Sequence, residues 1–65
     1  MNDLKFNSEL LTVEETATYL KVSRVTAYNL FNRNDFPTIR LGKLLRVYKC
    51  DLVSFVRDNL VQRIN

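Results

Sequence analysis

Apolar and polar positions along the chain fall into three helical stretches and one alternating stretch. Val13, Ala17 and Leu20 recur at spacings of four and three, with Thr16 and Tyr19 flanking them, which predicts a short amphipathic helix. Thr12-Val-Glu-Glu15 has the Ser/Thr-x-x-Glu form of a capping box and fixes its start. Lys21-Val22 breaks the pattern, and Ser23 is a good N-cap for a second helix from Arg24 to about Arg33, with Ala27, Leu30 and Phe31 as its inward stripe. Phe36-Pro37 ends that helix, because proline restricts its own φ and the residue before it. From Lys49 onward Leu52, Phe55, Val56 and Leu60 define a third helix, with Asp51 in the first turn where the helix dipole favours an acid.

Between Pro37 and Lys49 the chain reads IRLGKLLRV, Ile39 to Val47, a hairpin with one glycine. A two-residue turn at Gly42-Lys43 would pair Leu41 with Leu44 and Ile39 with Arg46, mixing charge into an apolar face. A turn of Gly42-Lys43-Leu44 instead pairs Leu41 with Leu45 and Ile39 with Val47 on one face, and Arg40 with Arg46 on the other. The sequence favours the second register, which leaves Leu44 exposed at the tip. Like charges across a ladder repel, so two facing arginines point to an anionic partner. The inner face needs a hydrophobic support, since an isolated hairpin is marginal in water, and the third helix supplies it.

The chain is 65 residues long, which allows one small domain with a thin core. Residues 1–9 are polar and aperiodic and are expected to form a loose arm from which Phe6 can pack back; residues 10–62 form the domain, and 63–65 fray. No run reaches the ~20 apolar residues of a membrane span, and MNDLKFNSELL lacks the basic-then-apolar order of a signal peptide, so a cytoplasmic protein is expected. One cysteine and no histidine offer no internal disulfide and almost no metal ligands, and Cys50 reads as a residue of a helix start. No cofactor is expected.

The net charge is +3, but its distribution is uneven. Between Lys21 and Lys49 seven basic residues face Asp35 alone, a local balance of +6 that leaves −3 for the two ends together. Such polarity presents one cationic side to polyanions. The outward face of the second helix carries Arg24, Val25, Tyr28, Asn29 and Asn32, with no acid among them. Asn suits adenine, Arg suits guanine, and a small apolar group suits a thymine methyl, whereas a merely solvated face more often carries Glu and Lys pairs. Two capped helices joined by a tight turn make a helix-turn-helix, whose second helix enters the major groove. The fold class is therefore mostly α with a β-hairpin, a winged helix-turn-helix in the order helix, helix, hairpin, helix.

Taken together, LTVEETA at the first helix, VSRVTAYNL at the turn and second helix, FPTIRLGKLLRV at the proline, strand and wing, and CDLVSFV opening the last helix resemble a known family. Residues 10–56 are similar to the small excisionase-type DNA-binding proteins of phages and integrative elements, relatives of MerR-like winged-helix domains. The resemblance implies a second helix reading the major groove through Ser23, Arg24, Thr26, Tyr28 and Asn29, and a wing touching the backbone or minor groove through Arg40, Lys43 and Arg46. With Val25, Asn32 and Arg33 these complete the expected DNA-binding set.

An excisionase sets the direction of site-specific recombination without catalysis of its own and works beside a recombinase (integrase). A small transcriptional regulator of the same mobile element would use the same domain. A protein-binding adaptor with a basic surface is a third reading, and it predicts no salt-dependent DNA affinity. RNA binding lacks an exposed aromatic pair on the strands. An enzyme is not expected: there is no histidine or Gly-rich phosphate loop, and helix capping accounts for the adjacent Glu14 and Glu15. The partner is double-stranded DNA. With no heptad repeat for a coiled coil, a monomer in solution that binds DNA as cooperative copies is expected.

Overall fold

The Thr12 hydroxyl accepts a hydrogen bond from the Glu15 amide at 3.0 Å, and the Glu15 carboxylate accepts one from the Thr12 amide at 2.9 Å. This closed capping box starts helix α1, Val13–Leu20, in the computed structural model, which describes residues 8–59. Thr16 lies fully buried in that helix, and its hydroxyl donates to the Thr12 carbonyl at 2.8 Å, so a polar side chain enters the core already satisfied. The helix ends in a left-handed residue, Lys21 at φ 60°, with the Val22 amide bonded to the Ala17 carbonyl and the Lys21 amide to that of Thr18. That pair of bonds is a Schellman closure, here made without the usual glycine.

Ser23 caps α2, Arg24–Phe31, by accepting from the Thr26 amide at 3.1 Å. Ala27 and Phe31 are buried and Leu30 packs half-buried against the core, as the inward stripe requires. The helix stops at Phe31, two residues short of the expected Arg33, and the Thr38 hydroxyl donates to the Phe31 carbonyl at 2.7 Å. A carbonyl left orphaned at the helix end is thus taken up by a residue beyond the turn. Phe36 folds back under α2 between Phe31 and Phe55, with both ring-centroid distances 5.0 Å. Together with Leu11, Val13, Ala17, Val47 and Leu52 these residues make the core.

The wing departs from the expected register. Strand β2, Ile39–Leu41, pairs with β3, Leu44–Tyr48, through Leu41↔Leu44, Arg40↔Leu45 and Ile39↔Arg46. The loop is therefore the two-residue Gly42-Lys43 turn, with Gly42 at φ 62°. Glycine with positive φ at the first loop position is the signature of a type II′ hairpin, whose twist matches that of the strands. Turn geometry overrides the matching of like faces. Leu45 and Val47 face the core, whereas Ile39, Leu41, Leu44, Arg46 and Tyr48 share the opposite face by alternation. Arg40 and Arg46 consequently lie on opposite faces rather than side by side. Leu44 is exposed as expected, but as the first residue of β3 rather than a turn residue.

A further strand precedes α1. Leu10–Leu11, β1, pairs with β3 through Leu10↔Tyr48 and Leu11↔Val47, giving a three-stranded antiparallel sheet in the order β1-β3-β2. Just before it, the Glu9 carbonyl accepts from the Lys49 amide at 2.8 Å and the Ser8 hydroxyl from the Cys50 amide at 3.0 Å. These bonds satisfy orphan amides at the start of α3, Lys49–Asn59, whose Leu52 and Phe55 are buried. Of the expected arm, residues 1–7 with Phe6 lie outside the described residues, as do Leu60 and the expected frayed end. No helix among the described residues is long and apolar enough to cross a membrane. With α1 and α2 joined by a tight turn and followed by hairpin and helix, the fold is a winged helix-turn-helix.

Candidate nucleic-acid interface

Helix α2 buries one side and presents the other. Arg24, Val25, Tyr28, Asn29 and Asn32 are all exposed, and Val25 is 69% exposed, a large apolar surface for a helical valine to leave in water. Asn29 and Asn32 make no side-chain hydrogen bond among the described residues, so their amides are available to a partner. Ser23 and Thr26 are differently placed. Their hydroxyls bond to each other at 3.0 Å and the Ser23 oxygen takes the Thr26 amide, so they build the helix start before they offer anything outward.

Two arginines of the expected set carry intramolecular partners. Arg24 Nη2 lies 3.0 Å from Glu14 Oε2, an ion pair spanning the first turns of α1 and α2. Arg33 grips Asp35 with two bonds, Nε to Oδ1 at 2.8 Å and Nη2 to Oδ2 at 2.7 Å, and stands 5.6 Å from the centroid of the Phe55 ring. The hydrogen bonds from Arg33, with its charge, hold the Asp35 carboxyl below the usual aspartate range, and the same contacts raise the Arg33 pKa. A fork-to-fork pair of this kind fixes the turn after α2. Arg33's guanidinium is thus engaged by Asp35, with about half of its side chain still exposed.

The sequence had assigned both Glu14 and Glu15 to capping. Only Glu15 caps; Glu14 pairs with Arg24, a contact that sequence reasoning missed. One signal was present: Arg24 stands at the positive end of α2, whose first turn contains no acid, so it needs a counter-charge from elsewhere.

Between the helix-turn-helix and the wing runs a groove of about 280 Å³, lined by Thr12, Val13 and Glu14 from the start of α1, Tyr28 from α2, and Lys43, Leu44, Leu45 and Arg46 from the wing. It follows the free edge of β3 beyond the short β1. Arg46 Nη1 donates to the Leu45 carbonyl at 2.8 Å there, which turns its guanidinium from the outer face toward the groove. Lys43 is exposed and has no acidic partner among the described residues. Arg40, exposed on β2, does not line the groove and likewise has no acidic partner among the described residues. Thus Tyr28, Lys43 and Arg46 of the expected set are brought together around one groove, while Arg24, Val25, Asn29, Asn32, Arg33 and Arg40 do not line it.

A larger cavity of about 460 Å³ adjoins the groove through Glu14 and is lined also by Glu9, Leu11, Glu15, Thr18, Tyr19 and Lys49. Its three carboxylates repel phosphate, and Lys49 Nζ sits 5.1 Å from the Tyr19 ring centroid rather than open to an anion. Among the described residues no group of three or more His, Cys, Asp or Glu is placed to hold a metal ion.

Residues 10–60 match the family model described as a helix-turn-helix domain. Two proteins of Mycobacterium tuberculosis, "Putative DNA-binding protein MT0521" of strain CDC 1551 / Oshkosh and "Putative DNA-binding protein Rv0500A" of strain H37Rv, are each 39% identical over 41 residues, 63% of this chain and 53% of theirs. "Uncharacterized protein YvgK" of Bacillus subtilis is 41% identical over 44 residues, 68% of this chain and 14% of its own length. The chain thus spans about half the length of the mycobacterial relatives it matches. No solved structure matches it significantly. A family match over nearly the whole described fold, on a chain with two capped helices, a tight left-handed turn and a wing, makes this protein a member of the helix-turn-helix domain family.

Proposed function

We propose that the chain binds double-stranded DNA sequence-specifically, with α2 in the major groove and the wing on the phosphate backbone. One observation carries this reading: the outer face of α2 carries no acid of its own, leaves Val25, Tyr28 and Asn29 exposed, and meets through Tyr28 a groove rimmed by Lys43 and Arg46. Base edges call for the first group and phosphates for the second. The names of the mycobacterial relatives point the same way. Base readout falls to Arg24, Val25, Asn29 and Asn32, and backbone contact to Lys43, Arg46 and the Tyr28 hydroxyl. Arg40 supplies a separate cation from the other side of the wing, and Ser23 and Thr26 set the helix start.

The likeness of residues 10–56 to excisionase-type proteins of the MerR-like group supports a role in directing recombination, beside an integrase, rather than in catalysis. A regulator of the same mobile element uses the same surface on a different stretch of DNA. On either role the protein acts in the cytoplasm as a monomer that occupies repeated sites cooperatively, since one module covers too few base pairs to select among about 10⁶ or more genomic sites. A footprint on the DNA around its own gene tests these roles. Protection over repeats at a recombination junction is expected of the excisionase, protection over a promoter identifies the regulator, and no binding to this or any random duplex even at low salt refutes DNA binding.

A further inference from the structure

Glu14 stands out once the DNA-binding reading is adopted, because an acid at a polyanion's docking face costs affinity. It lines the groove with Tyr28, Lys43 and Arg46, and its carboxylate is 3.0 Å from Arg24. Its neighbour Glu15 is committed to the Thr12 amide, so Glu14 is the acid of α1's first turn that is free to reach across. Both partners are about two-thirds exposed, and a pair so exposed exchanges readily for a better one.

We infer that Glu14 is a specificity-determining residue acting through Arg24, an inference that rests on the proposed DNA binding. The contact is single, Nη2 to Oε2, so Nε and Nη1 of Arg24 stay open while the guanidinium is held toward α1. Held in this way, Arg24 is withheld from phosphates, which are present on every duplex. A guanine edge offers two neutral acceptors that Glu14 does not repel, whereas a phosphate, anionic itself, is repelled by Glu14 as it approaches Arg24. Glu14 therefore lowers affinity for random DNA more than for the preferred site. Its effect is discrimination.

The test uses the full chain, the preferred duplex selected from a library randomised over about two helical turns, roughly 20 bp, and a random duplex. Glu14→Gln keeps the side chain's length and removes its charge, and an unchanged thermal midpoint establishes folding. Affinity for the random duplex should rise about threefold or more and its salt slope steepen by about 0.9, the value of one added phosphate contact. Affinity for the preferred duplex should rise less, so the ratio between the two narrows. In an Arg24→Ala background the same Glu14→Gln change should leave the ratio unaltered, whereas an effect that bypasses Arg24 would narrow it in both backgrounds. An unchanged ratio in Glu14→Gln, or a narrowing that persists without Arg24, overturns the inference while DNA binding stands. A wild-type chain that binds neither duplex overturns the DNA reading and the inference with it.

Discussion

Lys43 and Arg46 enter one groove from the wing, and replacing both with alanine makes a quantitative test of where the DNA backbone lies. Each phosphate contact contributes about 0.9 to the slope of log K against log salt on duplex DNA. Losing two should flatten the slope by about 1.8. Between about 50 and about 200 mM salt one contact changes affinity about 3.5-fold, so wild type should lose about twelvefold more than the variant over that range. Folding should survive, because Lys43 is a turn residue and Arg46 bonds only the Leu45 carbonyl. Fluorescence anisotropy with a labelled duplex at four or five salt concentrations gives both slopes. Arg40→Ala should remove at most one further contact and add to the double variant without coupling, since Arg40 and Arg46 lie on opposite faces of the wing. An unchanged slope in a folded Lys43→Ala/Arg46→Ala protein would refute the placement of phosphates in this groove. Strong coupling between Arg40 and Arg46 would refute the register argument.

Asn29→Ala should cost about 1–3 kcal/mol on the preferred site and much less on random duplex, measured as the two affinities side by side; equal losses make it a backbone contact. Phe36→Ala opens the middle of the Phe31–Phe36–Phe55 cluster and should destabilise the fold by about 3–5 kcal/mol in urea titration, enough to unfold much of so small a domain. The Arg33–Asp35 pair depresses the folded-state pKa of Asp35, so its stabilisation is present above the unfolded aspartate value and is lost as pH falls through the folded one. The melting-temperature gap between wild type and Asp35→Asn should accordingly be widest near neutrality and close as pH falls below the ordinary aspartate range; a gap that grows on acidification contradicts the assignment.

How far the residues announced the structure depended on how local each decision was. The capping box at Thr12, the Ser23 cap and the spacing of Val13, Ala17, Ala27, Phe31, Leu52 and Phe55 are settled within a turn or two of the chain, and they formed as read. The wing register was not read correctly, because matching Ile39 with Val47 assumed that both faces of the hairpin obey burial. The tip extends past the core, Leu41 and Leu44 stay exposed, and the Gly42 turn decides the pairing. Strand β1 was invisible for the opposite reason: two leucines carry no alternation, and they become a strand only by docking on Tyr48 and Val47. At the interface, α2's outward residues were legible from helical periodicity. The partners that hold Arg24 and Arg33 were not, since the first lies on another helix and the second depends on a turn that follows α2 two residues early.

The central claim is that α2 reads base edges, and the most direct measurement is the ratio of affinities for a selected and a random duplex at one fixed salt concentration near 0.15 M, roughly physiological. Two side chains reading bases at about 1–3 kcal/mol each predict a ratio of at least about thirtyfold, falling toward one when Arg24 and Asn29 are both replaced by alanine. Equal affinity of the wild-type chain for both duplexes would contradict the claim, leaving a cationic surface that binds DNA without reading it.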